Sequence, residues 1–244
     1  MTQENLTVNK SLKVSKKEIL DDFLLMNVSR NISYIGRKEV FMGRAKFGVF
    51  GDGKELPQIA MSKFFRNGDF RSGYYRDQTF MMSINQLTPD QFFAQLYAHT
   101  DIKKDPHSGG RQMNCHFGTR LLNENGDWKT QTDMMNSVSD ISCVSGQMPR
   151  IVGLAYASKL YRNNKNLSDM ENFSINGNEV VYGTIGDAST SEGHFWEAIN
   201  ACGVLQVPLI MSIWDDGYGI SVPSEYHTTR TVSYTHLRAH ETYD

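Results

Sequence analysis

The stretch from residue 179 to residue 223 constrains the fold more than any other part of the chain, because its apolar period changes twice within it. Val180, Val181, Tyr182 and Ile185 form a β-branched and aromatic run that stops at Gly186-Asp187-Ala188-Ser189-Thr190, the pattern of a buried strand meeting a tight loop. From Ser191 the period lengthens. Phe195, Ile199 and Cys202 share one helical face, with Ala198, Ala201 and Leu205 beside it, so the spacing predicts a helix of about three turns, weakened near its end by Gly203. Val207 to Trp214 is apolar again, tolerates Pro208 at its start, and stops at Asp215-Asp216-Gly217-Tyr218-Gly219. Strand, helix and strand in this order predict a βαβ unit with an acid at the C-terminal end of each strand.

In a parallel sheet those two strand ends lie on the same edge, where ligands of doubly wound folds bind and where a helix N-terminus offers free amides to an anion. A phosphate with a divalent cation suits such an edge. Gly186 lets the backbone approach a diphosphate. Asp187 offers a hard carboxylate oxygen, and Asp216 with the Tyr218 carbonyl can complete the protein's share of an octahedral magnesium shell.

The residues from Gly186-Asp187-Ala188-Ser189 to Asn200, followed by Asp215-Asp216-Gly217-Tyr218-Gly219-Ile220-Ser221-Val222-Pro223, resemble the thiamine-diphosphate motif of one enzyme family. That family is the alpha subunit of the decarboxylating dehydrogenase component of 2-oxoacid dehydrogenase complexes. Its motif is a Gly-Asp pair followed, one crossover later, by two asparagines. This chain has two aspartates instead. At about 4 Å and an effective dielectric near 20 an extra like charge costs about 4 kcal/mol. The second carboxylate must therefore be offset by arginine, be protonated, or stand outside the metal shell.

The resemblance runs from about residue 15 to residue 230 and is strongest from residue 139 onward. It implies a doubly wound α/β thiamine-diphosphate fold, with diphosphate and Mg2+ held by Gly186, Asp187, Ala188, Ser189, Asp216 and Tyr218. Of these, Asp187, Asp216 and the Tyr218 carbonyl would be the metal ligands. It also implies that Tyr75 and Arg76 of Gly73-Tyr74-Tyr75-Arg76-Asp77 bind the diphosphate, and that Ser142 and Val144 touch the cofactor mainly through the main chain. Without the resemblance, Arg76 reads as a surface arginine paired with Asp77. The implied reaction is oxidative decarboxylation of a 2-oxoacid with acyl transfer to a lipoyl group. The partners would be a beta subunit or fused beta half, a lipoyl acyltransferase component and the 2-oxoacid substrate. The activating glutamate would come from the beta part, so no catalytic residue is assigned here. The Gly110-Arg111-Gln112-Met113 loop with His116 is similar to branched-chain members and favours a branched-chain 2-oxoacid over pyruvate. A non-catalytic alpha-like subunit is the other reading that the Asp pair permits.

Several other features weigh less. Ser15-Lys16-Lys17-Glu18 is a capping box, and Ile19, Phe23 and Met26 continue it at helical spacing, predicting a helix that runs to about Gly36. Gly51-Asp52-Gly53 spells a cofactor motif but has no paired acids a crossover later, so it reads as a turn. Gly183-Thr184-Ile185-Gly186 does not give the glycine pattern of a nicotinamide-binding domain. Pro149 suits a first helical turn, with Ile151, Leu154, Ala155 and Ser158 on one face. Residues 161–178, rich in Asn, Ser and Lys, read as a solvated excursion.

With 244 residues, 39% of them apolar, the chain can bury one substantial core. Its net charge of −2 suggests neither nucleic acid nor an anionic membrane as partner. Cys115, Cys143 and Cys202 lack metal-ligand spacing and read as reduced thiols of a cytoplasmic protein. Three segments are expected: a loose lead-in at 1–14, an incomplete cofactor domain at 15–230, truncated at its C-terminus, and a foreign tail at 231–244. From Val232 that tail resembles translated read-through of a transposase-type sequencing adapter, so His236 and His240 are not taken as zinc ligands.

Overall fold

The computed structural model describes residues 14–167 and 170–228. The expected tail, and the lead-in apart from Val14, lie outside the described residues. Helix α1, Lys16–Phe41, begins where the capping box predicts, with the Ser15 hydroxyl accepting the Glu18 N–H at 3.1 Å. It continues past Gly36 because that glycine packs face-on against an aromatic wall. A Cβ there would stand 2.6 Å from the Phe50 ring. Helix α2 (Glu55–Ser62), strand β1 (Phe70–Ser72), a 3-10 turn at Tyr75–Asp77, α3 (Gln78–Ser83) and α4 (Pro89–Leu96) follow. Thr88 and Gln91 close a capping box at the start of α4.

After a long loop come β2 (Asn136–Ser137), α5 (Met148–Asn163), β3 (Val181–Gly186), α6 (Gly193–Leu205) and β4 (Leu209–Trp214), with a small antiparallel hairpin of β5 (Tyr218–Gly219) and β6 (Val222–Pro223). The main sheet has the order β2-β1-β3-β4 and every pair in it is parallel. The register pairs Val181 with Leu209 at one end and Gly186 with Trp214 at the other. The expected βαβ unit is therefore β3-α6-β4.

Helices cover both faces, which gives the doubly wound α/β class. Alternation along β3 decides which side chain meets which face. Val181 and Ile185 join Met148, Ile151 and Ala155 of α5 and Phe195 and Ala198 of α6. Tyr182 points the other way, onto Phe65 and Phe80, in the core that also holds Phe92. Each fully buried apolar side chain of this kind contributes roughly 1.5–3 kcal/mol. Gly183 has no room for a side chain, since a Cβ would lie 2.8 Å from both Ile151 and Met211.

The connection leaving β1 goes to β2 on one side, whereas the one leaving β3 goes to β4 on the other. The sheet's switch point thus lies between β1 and β3. In open α/β sheets that is where a crevice opens beyond the strands' carboxyl ends.

Candidate functional site

Beneath that crevice sits an ion cluster with no precedent in the sequence reading. Arg71 of β1 is fully buried. A guanidinium can be buried only if its charge is opposed and its donors are matched. Its Nε donates to Asp77 Oδ2 at 2.7 Å, Nη1 to Ser137 Oγ at 2.9 Å and Asp140 Oδ1 at 3.0 Å, and Nη2 to the Tyr74 carbonyl and Asp140 Oδ2, both at 3.0 Å. Asp77 in turn accepts from Trp214 Nε1 at 2.8 Å and Thr184 Oγ1 at 2.5 Å. Asp140 also accepts the Phe117 N–H at 3.0 Å. Burial raises the Asp140 carboxyl above its usual range, against the opposing pull of Arg71. The cluster joins all four strands of the main sheet and fixes the turn that carries Tyr75 and Arg76. Gly73 is required there, because a Cβ would fall onto the Asp77 carboxylate, the Thr184 hydroxyl and the Arg71 guanidinium.

The residues expected at the cofactor all lie at or beyond the C-terminal ends of the parallel strands. Tyr75 and Arg76 follow β1, Ser142 and Val144 follow β2, Gly186 ends β3 with Asp187 to Ser189 after it, and Asp216 and Tyr218 of β5 follow β4. Asp187 is buried and accepts the Ser224 hydroxyl at 2.9 Å from just beyond β6. Asp216 is paired with Arg76, Nη2 to Oδ2 at 2.6 Å, and its other oxygen accepts the Tyr218 N–H at 3.3 Å. The alternative Arg76–Asp77 surface pair does not form, because Asp77 is taken up by Arg71. The Arg76 guanidinium also lies 5.2 Å above the Tyr75 ring. Burial disfavours its charge, but Tyr75, Tyr74, Asp216 and Asp187 around it outweigh burial and raise its pKa. Lys54, at the start of α2, reaches the Asp215 carbonyl. The second acid of the pair, Asp216, thus faces an arginine.

The loop after β2 is tied to the loop after β3. Ser145 Oγ donates to the Ser189 carbonyl at 2.6 Å, Gln147 Nε2 donates to the Thr184 carbonyl at 2.9 Å, and His194 Nε2 meets the Val144 carbonyl at 3.3 Å. Ser142 is exposed and its hydroxyl lies 2.9 Å from His116 Nε2. His116 is buried between this serine and the Asn114 carbonyl at 3.2 Å. The β5–β6 hairpin packs so closely on the Gly186 loop that a Cβ at Gly219 would be 2.9 Å from that of Ala188. Arg111 is exposed and bonded within its own loop, to the Ser108 carbonyl. Gly51-Asp52-Gly53 is a turn, with Asp52 paired to Arg37 at 2.6 Å.

The edge suits a metal and diphosphate on three counts. Gly186 presents backbone where a side chain would obstruct. Helix α6 starts without a side-chain cap and space is open at Gly193; the Phe195 N–H is taken by the Glu192 carbonyl at 3.0 Å, but the positive end of the helix still favours an anion. Among the described residues no three His, Cys, Asp or Glu side chains converge on a metal position. Asp187 and Asp216 offer hard oxygen donors, the kind that Mg2+ takes and zinc sites seldom rely on alone. At the opposite edge of the sheet a separate cleft of about 450 Å3, lined by Thr130, Thr132, Tyr161, Glu171 and Asn172 among others, gathers none of these groups.

A parallel sheet with its switch point flanked by an arginine, a glycine-led loop and two strand-end acids defines a doubly wound α/β domain with a polar crevice at its carboxyl edge. The dehydrogenase E1 component family model matches residues 25–241, and the chain belongs to that family. It is 28% identical over 199 residues to the mitochondrial 2-oxoisovalerate dehydrogenase subunit alpha of Caenorhabditis elegans, covering 82% of this chain and 38% of that protein. The Bacillus subtilis 2-oxoisovalerate dehydrogenase subunit alpha is 26% identical over 216 residues, 88% of this chain and 56% of its own length. The human mitochondrial protein of the same name is 27% identical over 201 residues, 82% and 37% respectively. The chain thus spans between about a third and a little over half the length of these relatives.

Proposed function

We propose that this chain is the alpha part of a thiamine-diphosphate-dependent 2-oxoacid dehydrogenase, holding the diphosphate and magnesium of the cofactor. The observation that carries the reading is the meeting of Asp187, Asp216 and Arg76 at adjacent strand ends around Gly186. When bound, the cofactor supplies the electron sink that lets a 2-oxoacid lose carbon dioxide. The chain's own residues bind and orient it. Asp187, Asp216 and the Tyr218 carbonyl take the cation, while Arg76, Tyr75 and the α6 amides take the phosphates. Asp216 and a diphosphate compete for Arg76, so a cation accepted by Asp216 releases the arginine, and metal and diphosphate binding are coupled.

A branched-chain 2-oxoacid is the substrate we favour over pyruvate, because the relatives quoted above are named for 2-oxoisovalerate. Transfer of the acyl group to a lipoyl acyltransferase component, and completion of the site by a beta partner, belong to the same proposal. Exposed Ile220 and Tyr226, on and just beyond the β5–β6 hairpin, support a partner surface beside the site. A reducing compartment, which we take to be the cytoplasm, suits the free thiols of Cys115, Cys143 and Cys202.

The test is calorimetric titration of the full-length protein with thiamine diphosphate and Mg2+. Asp187→Ala and Asp187→Asn are each expected to weaken binding more than about a hundredfold, beyond the cost of an outer-shell change. Asp216→Asn is expected to preserve or improve it, since it frees Arg76 and removes one negative charge. Tight binding by both Asp187 variants would end the magnesium assignment. A wild-type protein that binds no cofactor would favour the non-catalytic alpha-like reading.

A further inference from the structure

On the cofactor reading above, we infer that Lys54 is a further positioning residue of the site. Its ammonium holds the loop after β4 and supplies, beside Arg76, a second positive charge that lets Asp187, Asp215 and Asp216 share an edge with a diphosphate. Lys54 stands at the start of α2, 161 residues from Asp215 in the chain, and its Nζ donates to the Asp215 carbonyl. Among the described residues no carboxylate pairs with it. A lysine bonded to a carbonyl keeps its whole charge for an anion that enters the crevice.

The support from which Lys54 reaches is fixed on both sides. Arg37 pairs with Asp52 at 2.6 Å, Arg30 grips the two oxygens of Glu55 at 2.5 and 2.7 Å, and the Gly53 N–H closes onto Glu55 at 3.0 Å. The same segment is seated on the turn that carries Arg76. Fully buried Gln58 donates to the Arg76 carbonyl at 2.6 Å and accepts the Phe80 N–H at 2.9 Å, and a Cβ on Gly51 would stand 2.8 Å from that carbonyl oxygen. Arg76 and Lys54 therefore belong to one packed unit, and both reach the loop after β4, Arg76 at the Asp216 carboxylate and Lys54 at the Asp215 carbonyl.

Charge explains why one arginine is too few. Three carboxylates follow the ends of two neighbouring strands, and only Asp216 is paired with Arg76. A diphosphate brings more negative charge than one Mg2+ cancels, so the loaded edge needs further positive charge from the chain. Lys54 provides it through a main-chain contact, which leaves the Asp187 and Asp216 oxygens for the cation. Asp215 itself closes the local turn, its Oδ1 accepting the Gly217 N–H at 2.9 Å.

The experiment measures inorganic pyrophosphate binding in the presence of Mg2+ by calorimetry, at low and at high salt, for the full-length wild type, Lys54→Met, Lys54→Arg and Lys54→Met/Asp215→Asn. A unit charge several ångströms away across a partly solvated surface changes the affinity for a multiply charged ion by roughly threefold to tenfold, and Lys54→Met is expected to bind that much more weakly at low salt. The gap is expected to close at high salt, where exposed charges are screened. Lys54→Arg is expected to bind like wild type. Adding Asp215→Asn is expected to restore the Lys54→Met protein, because one negative charge goes with the positive one while the oxygen that accepts the Gly217 N–H stays. Wild-type affinity in Lys54→Met at low salt overturns the inference alone. So does a loss that persists at high salt and resists Asp215→Asn, the mark of a lysine that only packs the loop. A wild type that binds no pyrophosphate overturns the cofactor reading and this inference together.

Discussion

Removing the Asp77 carboxylate should cost more stability than any change at the exposed acids of the site. Asp77 is fully buried and serves three side chains: Arg71 Nε at 2.7 Å, Trp214 Nε1 at 2.8 Å and Thr184 Oγ1 at 2.5 Å. Its loss leaves the Arg71 charge opposed only by Asp140 and strands the Trp214 donor in a dry interior. Breaking a buried ion pair from one side costs about 3–5 kcal/mol. An orphaned buried donor alone accounts for about 1–3 kcal/mol of such a loss. Some of this returns because the triad's net charge falls from −1 to zero, so about 3 kcal/mol is expected for Asp77→Ala and about 2 kcal/mol for Asp77→Asn, which keeps one acceptor but turns an N–H toward a donor. Against a total stability of about 5–15 kcal/mol, either loss is large. The assay is urea unfolding of the full-length protein followed by circular dichroism, with Trp214→Phe and the Asp77→Asn/Trp214→Phe double variant completing a cycle. A coupling of about 1 kcal/mol or more between the two positions is expected for groups in direct contact. Wild-type stability in Asp77→Asn, or strict additivity in the cycle, would show that the cluster does not hold the four strand ends as argued.

Two further expectations concern the thiols and the Asp105 carboxylate. Cys115 is fully buried and burial pushes its thiol up, Cys202 is half-buried with its thiol raised for the same reason, and Cys143 is exposed between Ser142 and Val144. Alkylation followed by mass spectrometry should therefore modify Cys143 first, Cys202 slowly and Cys115 only on unfolding, with Mg2+ and thiamine diphosphate slowing Cys143; Cys115 labelling as fast as Cys143 would contradict the packing. Burial would raise the Asp105 carboxyl, but the Gly110 N–H at 2.9 Å and the Ser108 hydroxyl at 2.6 Å outweigh it and hold the group below its ordinary value. Its folded pKa is the lower one, so this stabilisation is present above about pH 4 and is lost as the pH falls below that. Urea midpoints between neutral and acid pH should thus show Asp105→Asn about 1–2 kcal/mol less stable at neutrality and less sensitive to acid than wild type; parallel curves would remove Asp105 from the account.

What the sequence reveals and what it hides follow from the same physics. The β3-α6-β4 unit is legible because it is long enough for two periods to be told apart and because its strands end on glycine and aspartate. The sheet's other half is not. Strands β1 and β2 are three and two residues long, too short to show any period, and both carry polar residues, Arg71 and Asn136, in positions that are fully buried. An arginine inside a strand is a sign of a buried charge cluster only if its counterions can be named, and here one of them, Asp140, comes from a loop beyond another strand. The same limit applies to Arg76. Next to Asp77 in the chain it looks paired, yet the neighbour is claimed by Arg71 and the partner is Asp216, across the sheet's switch point. Gly36 misleads in the opposite direction: a glycine late in a helix reads as a stop until the Phe50 ring that demands it is in view. Local pattern thus determines which residues reach the strand ends. Which charge meets which is decided by contacts between residues far apart in the chain, and the buried Arg71 cluster, which no motif marks, holds the turn that aims Tyr75 and Arg76 at the crevice.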